Sequence, residues 1–127
     1  MSWKPEGYSS VSPYLIVQDA ERALAFMEAV FDARRIQVIP REGGGTMHAE
    51  AWIDDTVVML DEAPGGGAAD ASDINVHVCV PDAVATFDRA RAAGGTVVQE
   101  PGRGPDGDMR GGISDGNGTT WWISTHG

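Results

Sequence analysis

An α+β domain built from two βαβββ modules is what the sequence predicts, and three observations carry that prediction. Displaced by 63 positions, the chain falls on itself: Val17 on Val80, Asp19 on Asp82, Ala20 on Ala83, Leu24 on Phe87, and further on Thr56 on Thr119, Val58 on Trp121 and Leu60 on Ile123. Each half opens with a short β-prone run ending at an Asp, after which apolar residues recur at helical spacing. Each half closes on β-branched or aromatic runs set between turn residues. A supersecondary unit that cannot bury its apolar face alone packs against its copy, and the seam between the copies is a natural cleft.

Taken in order, residues 1–10 are polar and punctuated by Gly and Pro, which predicts a loosely held arm. Residues 14–17 form the first strand, and Asp19 caps a helix over about 20–32 whose Ala23, Leu24, Met27, Val30 and Phe31 make one stripe. Strands follow at 35–39, 46–53 and 56–60, with turns at 40–45 and at Asp54-Asp55. Residues 64–72, rich in Gly and Ala, read as a linker. The second module repeats the plan: a strand at 74–80, a helix capped by Asp82 over about 83–94, and strands at 96–99, 110–114 and 120–124. Asp115-Gly116-Asn117-Gly118 is the tight turn before the last of them. The whole chain, 1–127, is thus expected to be one domain, with modules at about 11–62 and 74–126.

Composition narrows the function classes. A formal charge of −10 repels phosphate backbones and anionic lipid and attracts cations, so neither nucleic acid nor a membrane surface is an expected partner. A single cysteine, Cys79, excludes an intramolecular disulfide, and no signal-peptide core or long apolar span is present; a cytoplasmic protein is expected. The glycine-rich stretches at 43–45 and 102–112 do not lead into a helix, so they lack the amide cradle of a phosphate loop. There is no Gly-x-Ser-x-Gly elbow for an acyl-transfer nucleophile and no doubly wound sheet for a dinucleotide.

The two βαβββ copies, the Val-x-Asp start of each helix and the Asp-Gly-Asn-Gly turn before an aromatic last strand together resemble the vicinal oxygen chelate superfamily, the group of glyoxalase I, extradiol dioxygenases, fosfomycin-resistance enzymes and bleomycin-binding proteins. Pro13 to Val17, Met47 to Glu50 and Trp122 to His126 are similar to its PhnB-like branch. The resemblance implies paired curved sheets, a pocket on their concave faces, helices on the convex faces, and a homodimer.

Strand alternation assigns faces. Leu15, Val17, Val58, Leu60, Val76, Val78 and Val80 should pack under the helices. The opposite parity faces the pocket: Ser12, Tyr14 and Ile16; His48, Glu50 and Trp52; Val57, Met59 and Asp61; Asn75, His77 and Cys79; Thr120, Trp122 and Ser124. The metalloenzymes of the superfamily place ligands at positions that fall here on Ser12, Met59, Asn75 and Trp122, none of them a His or a carboxylate. A hydroxyl, a thioether, an amide and an indole do not make a catalytic divalent-metal site, so no metal or other cofactor is expected there.

Two function classes follow. One is a metal-free protein that binds, and in a resistance role sequesters, a small cationic or aromatic molecule through Tyr14, His48, Glu50, Trp52, Met59, Asp61, Asn75, His77 and Trp122. The other is a lyase, isomerase or dioxygenase-type enzyme with His48, Glu50 and His77 as a displaced metal or acid/base site. Residues two apart on a strand lie roughly 7 Å apart along it, which makes joint ligation of one ion by His48 and Glu50 awkward. The competing assignment for His48 and Glu50 is a hydrogen-bonded pair in a pocket wall. Cys79 has no adjacent basic residue to lower its pKa and is expected to be a small buried hydrophobe.

Overall fold

Asp19 and Asp82 start the two helices as the repeat requires. Each has extended backbone and accepts a hydrogen bond from the amide three residues on, Arg22 N–H at 3.0 Å and Ala85 N–H at 3.1 Å. Each thereby satisfies one donor of a first turn that has no partner inside the helix. The computed structural model describes residues 3–63 and 74–127. The element order is β1 (Tyr14–Val17), α1 (Ala20–Phe31), β2 (Arg34–Pro40), β3 (Thr46–Ile53), β4 (Thr56–Glu62), β5 (Ile74–Cys79), α2 (Ala83–Ala92), β6 (Thr96–Arg103), β7 (Met109–Ser114) and β8 (Thr119–Thr125). The linker expected at 64–72 lies outside the described residues.

The strands form two four-stranded sheets of identical topology, β1-β4-β3-β2 and β5-β8-β7-β6. The repeat extends to register: β1 runs parallel to β4 with Tyr14 opposite Met59, and β5 runs parallel to β8 with His77 opposite Trp122, each partner 63 residues beyond its counterpart. On the third strand of each module the offset is 62, since Glu50 lies opposite Met59 and Gly112 opposite Trp122. The extra residue sits in the turn of the second module, which is why that turn is a Gly-Asn-Gly loop and not a bare two-residue hairpin.

The core lies where the helices cover the sheets. Leu15, Val17, Val58 and Leu60 are buried against Leu24, Met27 and Val30, as alternation predicts. Trp121 joins the modules, its ring 5.1 Å from that of Phe31 and 6.5 Å from that of Phe26. Two glycines of β7 make room on opposite faces: a Cβ on Gly111 would fall 2.8 Å from the Phe87 ring, and one on Gly112 would fall 2.5 Å from the Trp122 ring.

Several expectations need correction. Val76, Val78 and Val80 touch the core but stay half-buried, because β5 is an edge strand and α2 packs over β6, β7 and β8. Val57 and Ser124, expected on the pocket face, are fully buried, whereas Cys79, expected to be buried, is exposed. The N-terminal arm is not loose over its described part. Gly7 O accepts from the Trp52 indole at 3.1 Å, Ser9 Oγ accepts from Val57 N–H at 3.1 Å, and the Tyr8 hydroxyl donates to Glu50, so the arm crosses β3 and β4 and closes over Val57. Among the described residues no helix is long and apolar enough to cross a membrane.

Candidate functional site

On the face of the first sheet away from α1, antiparallel pairing sets Glu50 beside Met59, while parallel pairing sets Ile16 beside Asp61 and Tyr14 beside Met59. These registers bring together the side chains that alternation assigned to one surface. His48 is the centre of the group. Its Nδ1 lies 2.6 Å from Asp61 Oδ1 and its Nε2 lies 2.8 Å from Glu50 Oε2, so both ring nitrogens are engaged by carboxylates. The second oxygen of each carboxylate is taken by a phenol: Tyr8 donates to Glu50 and Tyr14 donates to Asp61. Gln37 adds its amide to Glu50 at 3.1 Å, from the position directly opposite on β2.

The electrostatics follow from this geometry. Burial opposes the charged form of Glu50, but hydrogen bonds from Tyr8, His48 and Gln37 outweigh it and hold the carboxyl below its ordinary range. Burial likewise opposes charge on Asp61, and hydrogen bonds from Tyr14 and His48, with the nearby Arg41 charge, overcome it. For His48 burial is again the largest single influence and disfavours the imidazolium; the bonds to Asp61 and Glu50 and their negative charges prevail and raise its pKa. Tyr8 and Tyr14 are raised chiefly by donating to ionised carboxylates. The group is therefore two carboxylates, each favoured in its charged form, around one imidazole whose protonated form they favour, with the Arg41 charge beside Asp61.

The other expected residues are placed apart from this network. His77 lies on the second sheet, its Nδ1 3.9 Å from Cys79 Sγ, and shares no hydrogen bond with His48 or Glu50. The proposed His48, Glu50 and His77 constellation is thus two separate groups. Trp122 packs on Gly112 and donates its indole N–H to Asn75 Oδ1 at 2.9 Å. Trp52 turns toward the module junction, with the Arg34 guanidinium 5.3 Å over its ring.

The metal positions implied by the fold do not fit a metal. Asn75 spends its amide oxygen on Trp122, Met59 offers a thioether, and Ser12 a hydroxyl. The His48 network is no substitute, since its two nitrogens point to opposite sides of the ring, each toward a different carboxylate, and one ion cannot take both. Among the described residues no three His, Cys, Asp or Glu side chains converge on a common point.

With this fold and face established, comparison with known proteins places the chain. A sequence profile of the Glyoxalase/Bleomycin resistance protein/Dioxygenase superfamily matches residues 9–123. The chain belongs to that superfamily. An uncharacterised Mycobacterium bovis protein is 34% identical in an alignment 121 positions long, which covers 88% of this chain and 80% of that protein. Among solved structures of the superfamily fold, TioX from Micromonospora sp. ML1 is similar with a TM-score of 0.77 and 26% identity, covering 93% of this chain and 98% of TioX. A PhnB protein from Bacillus cereus shares the fold at a TM-score of 0.74 and 16% identity, over 92% of this chain and 99% of that one.

Sequence reasoning missed two members of this superfamily chain's polar network. Gln37 could have been found by extending the β2–β3 hairpin, because it lies opposite Glu50. Tyr8 carries no periodic signal, since it belongs to an irregular segment before the first strand.

Proposed function

We propose that this superfamily member is a metal-free, small-molecule binding protein of the cytoplasm, with a sequestering role, that takes up an organic cation with an aromatic body. The observation that carries this reading is the Glu50–His48–Asp61 network: two carboxylates held ionised on a sheet face beside Tyr14 and Met59. A fixed pair of carboxylates next to a phenol ring and a thioether offers charge, face contact and apolar contact to such a ligand. The chain's charge of −10 supports it by steering cations toward the surface. We further propose that the working unit is a homodimer, in which the Asn75, His77 and Trp122 face of one copy completes the pocket of the other.

The enzymatic alternative draws less support. A general base needs a free lone pair near the reacting proton, and both His48 nitrogens are committed to carboxylates that favour its protonated form. Titration of intrinsic tryptophan fluorescence with cationic aromatic compounds tests the binding reading. Saturable binding is expected, and Tyr14→Ala or Glu50→Gln should each weaken it by about tenfold or more, since a hydrogen-bonded charge contributes on the order of 2 kcal/mol. Stoichiometric metal in the purified protein that disappears in the His48→Ala, Glu50→Ala double variant would overturn it in favour of the enzyme.

A further inference from the structure

The modules meet at two junctions, and the pseudo-symmetric pair is unequal. At the first, the longer turn of the second module inserts Asn117, whose Oδ1 accepts from Gln18 N–H at 2.9 Å and Asp19 N–H at 3.1 Å while its amide donates to Asp19 O at 2.7 Å. At the second, the turn is Asp54-Asp55, one residue shorter, and the matching corner is Val80-Pro81-Asp82. Pro81 has no N–H to offer where Gln18 gives one, and no side chain of the short turn bonds this corner among the described residues. The unplugged junction holds a cavity of about 430 Å³, against about 270 Å³ beside Asn117. The larger one falls within the size range of small-molecule sites.

Its lining is specific. Phe31, Ile53 and Val80 give an apolar floor. Two cations are held at its walls: Arg34 over the Trp52 ring, and Arg89 by bonds to Val30 O at 3.2 Å and Thr86 Oγ1 at 3.2 Å. Two carboxylates accompany them, Asp32 and Asp54. These are also the only non-glycine residues with positive φ among those described, at 55° and 50°, so both of these left-handed residues bring an acid to one cavity. Charges of both signs around an apolar floor suit a ligand that carries both signs on an apolar body.

We propose that this junction cavity is a second ligand site, separate from the His48 face, and that it takes a zwitterion with a large apolar side chain, the chemistry of a free aromatic amino acid or short aromatic peptide. The ligand carboxylate pairs with Arg34 and Arg89, its ammonium with Asp32 and Asp54, and its side chain lies on Phe31 and Val80.

Cys79 lines the cavity, is exposed and is the chain's one cysteine; it also borders a neighbouring cavity beside His77, and Arg34, which lines the junction cavity and not that neighbour, tells the two apart. The rate of Cys79 alkylation would be measured against L-phenylalanine and phenylalanyl-phenylalanine, with 3-phenylpropionate and phenethylamine as single-charge probes, and with saturation-transfer NMR on each probe as a second readout. Saturable protection by the zwitterions is expected, at least tenfold tighter than by either single-charge probe. Arg34→Gln and Asp54→Asn, the latter keeping a residue that tolerates the left-handed turn, should each weaken it by tenfold or more. Equal protection by 3-phenylpropionate would replace the zwitterion with a simple carboxylate and overturn the proposal. So would protection unchanged by both substitutions, or no binding of either zwitterion up to about 10 mM, which sets a floor below millimolar affinity.

Discussion

Asn117 shows how much one side chain can decide. It is 1% exposed, and its amide satisfies two backbone donors and one backbone acceptor at the β1–α1 corner, so a turn of the second module fixes the start of the first helix. Asp115 fixes the turn itself by accepting from Asn117 N–H at 2.8 Å, Thr119 N–H at 3.2 Å and the Trp121 indole at 3.1 Å. Asn117→Ala leaves the Gln18 and Asp19 N–H groups without partners, while Asp19 O keeps its bond from Ala23 N–H, and should lower the unfolding free energy by about 3 kcal/mol. The denaturant midpoint would fall at unchanged slope; a midpoint within error of the parent would show that water replaces the amide without loss. His48 makes a prediction of the opposite kind, about pH. Its folded pKa lies above the ordinary 6.5, so the stability it contributes is full below that value and is lost as pH rises through the raised one. Glu50 and Asp61 lie below their ordinary 4.5 and 3.8, so their contribution is full above those values and is lost as pH falls through the lowered ones. The network is therefore strongest between about pH 4.5 and 6.5. The parent should lose more stability between pH 6 and pH 9 than the His48→Gln variant does. Equal losses in thermal or chemical melts at the two pH values would show that the ring is not held as an imidazolium.

At the scale of elements, the repeat made most of the fold legible and the arm escaped it. The helices expected at 20–32 and 83–94 run over Ala20–Phe31 and Ala83–Ala92, because the left-handed Asp32 ends one and the Ala93–Gly95 turn ends the other. β6, expected at 96–99, extends through Pro101 to Arg103; a proline is tolerated there because β6 is an edge strand with register irregularities. Of the candidate site, His48, Glu50, Asp61 and Tyr14 were readable from period-two alternation, since they share one face of one sheet. That His77 stands apart from them was not readable, because a 63-residue repeat fixes each module and says nothing of how the two sheets face. The arm has neither period nor partner in the repeat, so only the folded chain reveals Gly7, Tyr8 and Ser9 on β3 and β4. Deleting residues 1–10 should uncover Val57, release the Trp52 indole to water and leave Glu50 with one donor fewer. A red-shifted tryptophan emission and a lower unfolding midpoint are the expected result. Emission and midpoint both unchanged would mean that the arm adds nothing to the sheet it crosses.

At the scale of the whole molecule, each sheet ends on a strand whose far side pairs with no other strand among the described residues: β1 in one and β5 in the other. Such edges invite another chain, and proteins that keep them exposed usually blunt them with charge or proline. Neither device is present here: β1 reads Tyr-Leu-Ile-Val and β5 reads Ile-Asn-Val-His-Val-Cys. The large side chain of Tyr14 is 54% exposed, and Asn75, His77 and Cys79 alternate along β5 as exposed residues. A two-fold contact that sets β5 of one copy against β1 of the other covers both edges twice, since an isologous contact repeats itself. It would also carry the Asn75–Trp122 face toward the His48 network, joining the two halves of the expected site that a single chain keeps apart. Light scattering should thus return twice the 13.4 kDa chain mass at micromolar concentration. Dilution far enough to halve that mass should weaken binding of a cationic aromatic ligand in step, because half of the pocket leaves with the partner. A mass of one chain at every concentration would refute the dimer. A halved mass with unchanged affinity would instead show that the His48 face binds without its neighbour.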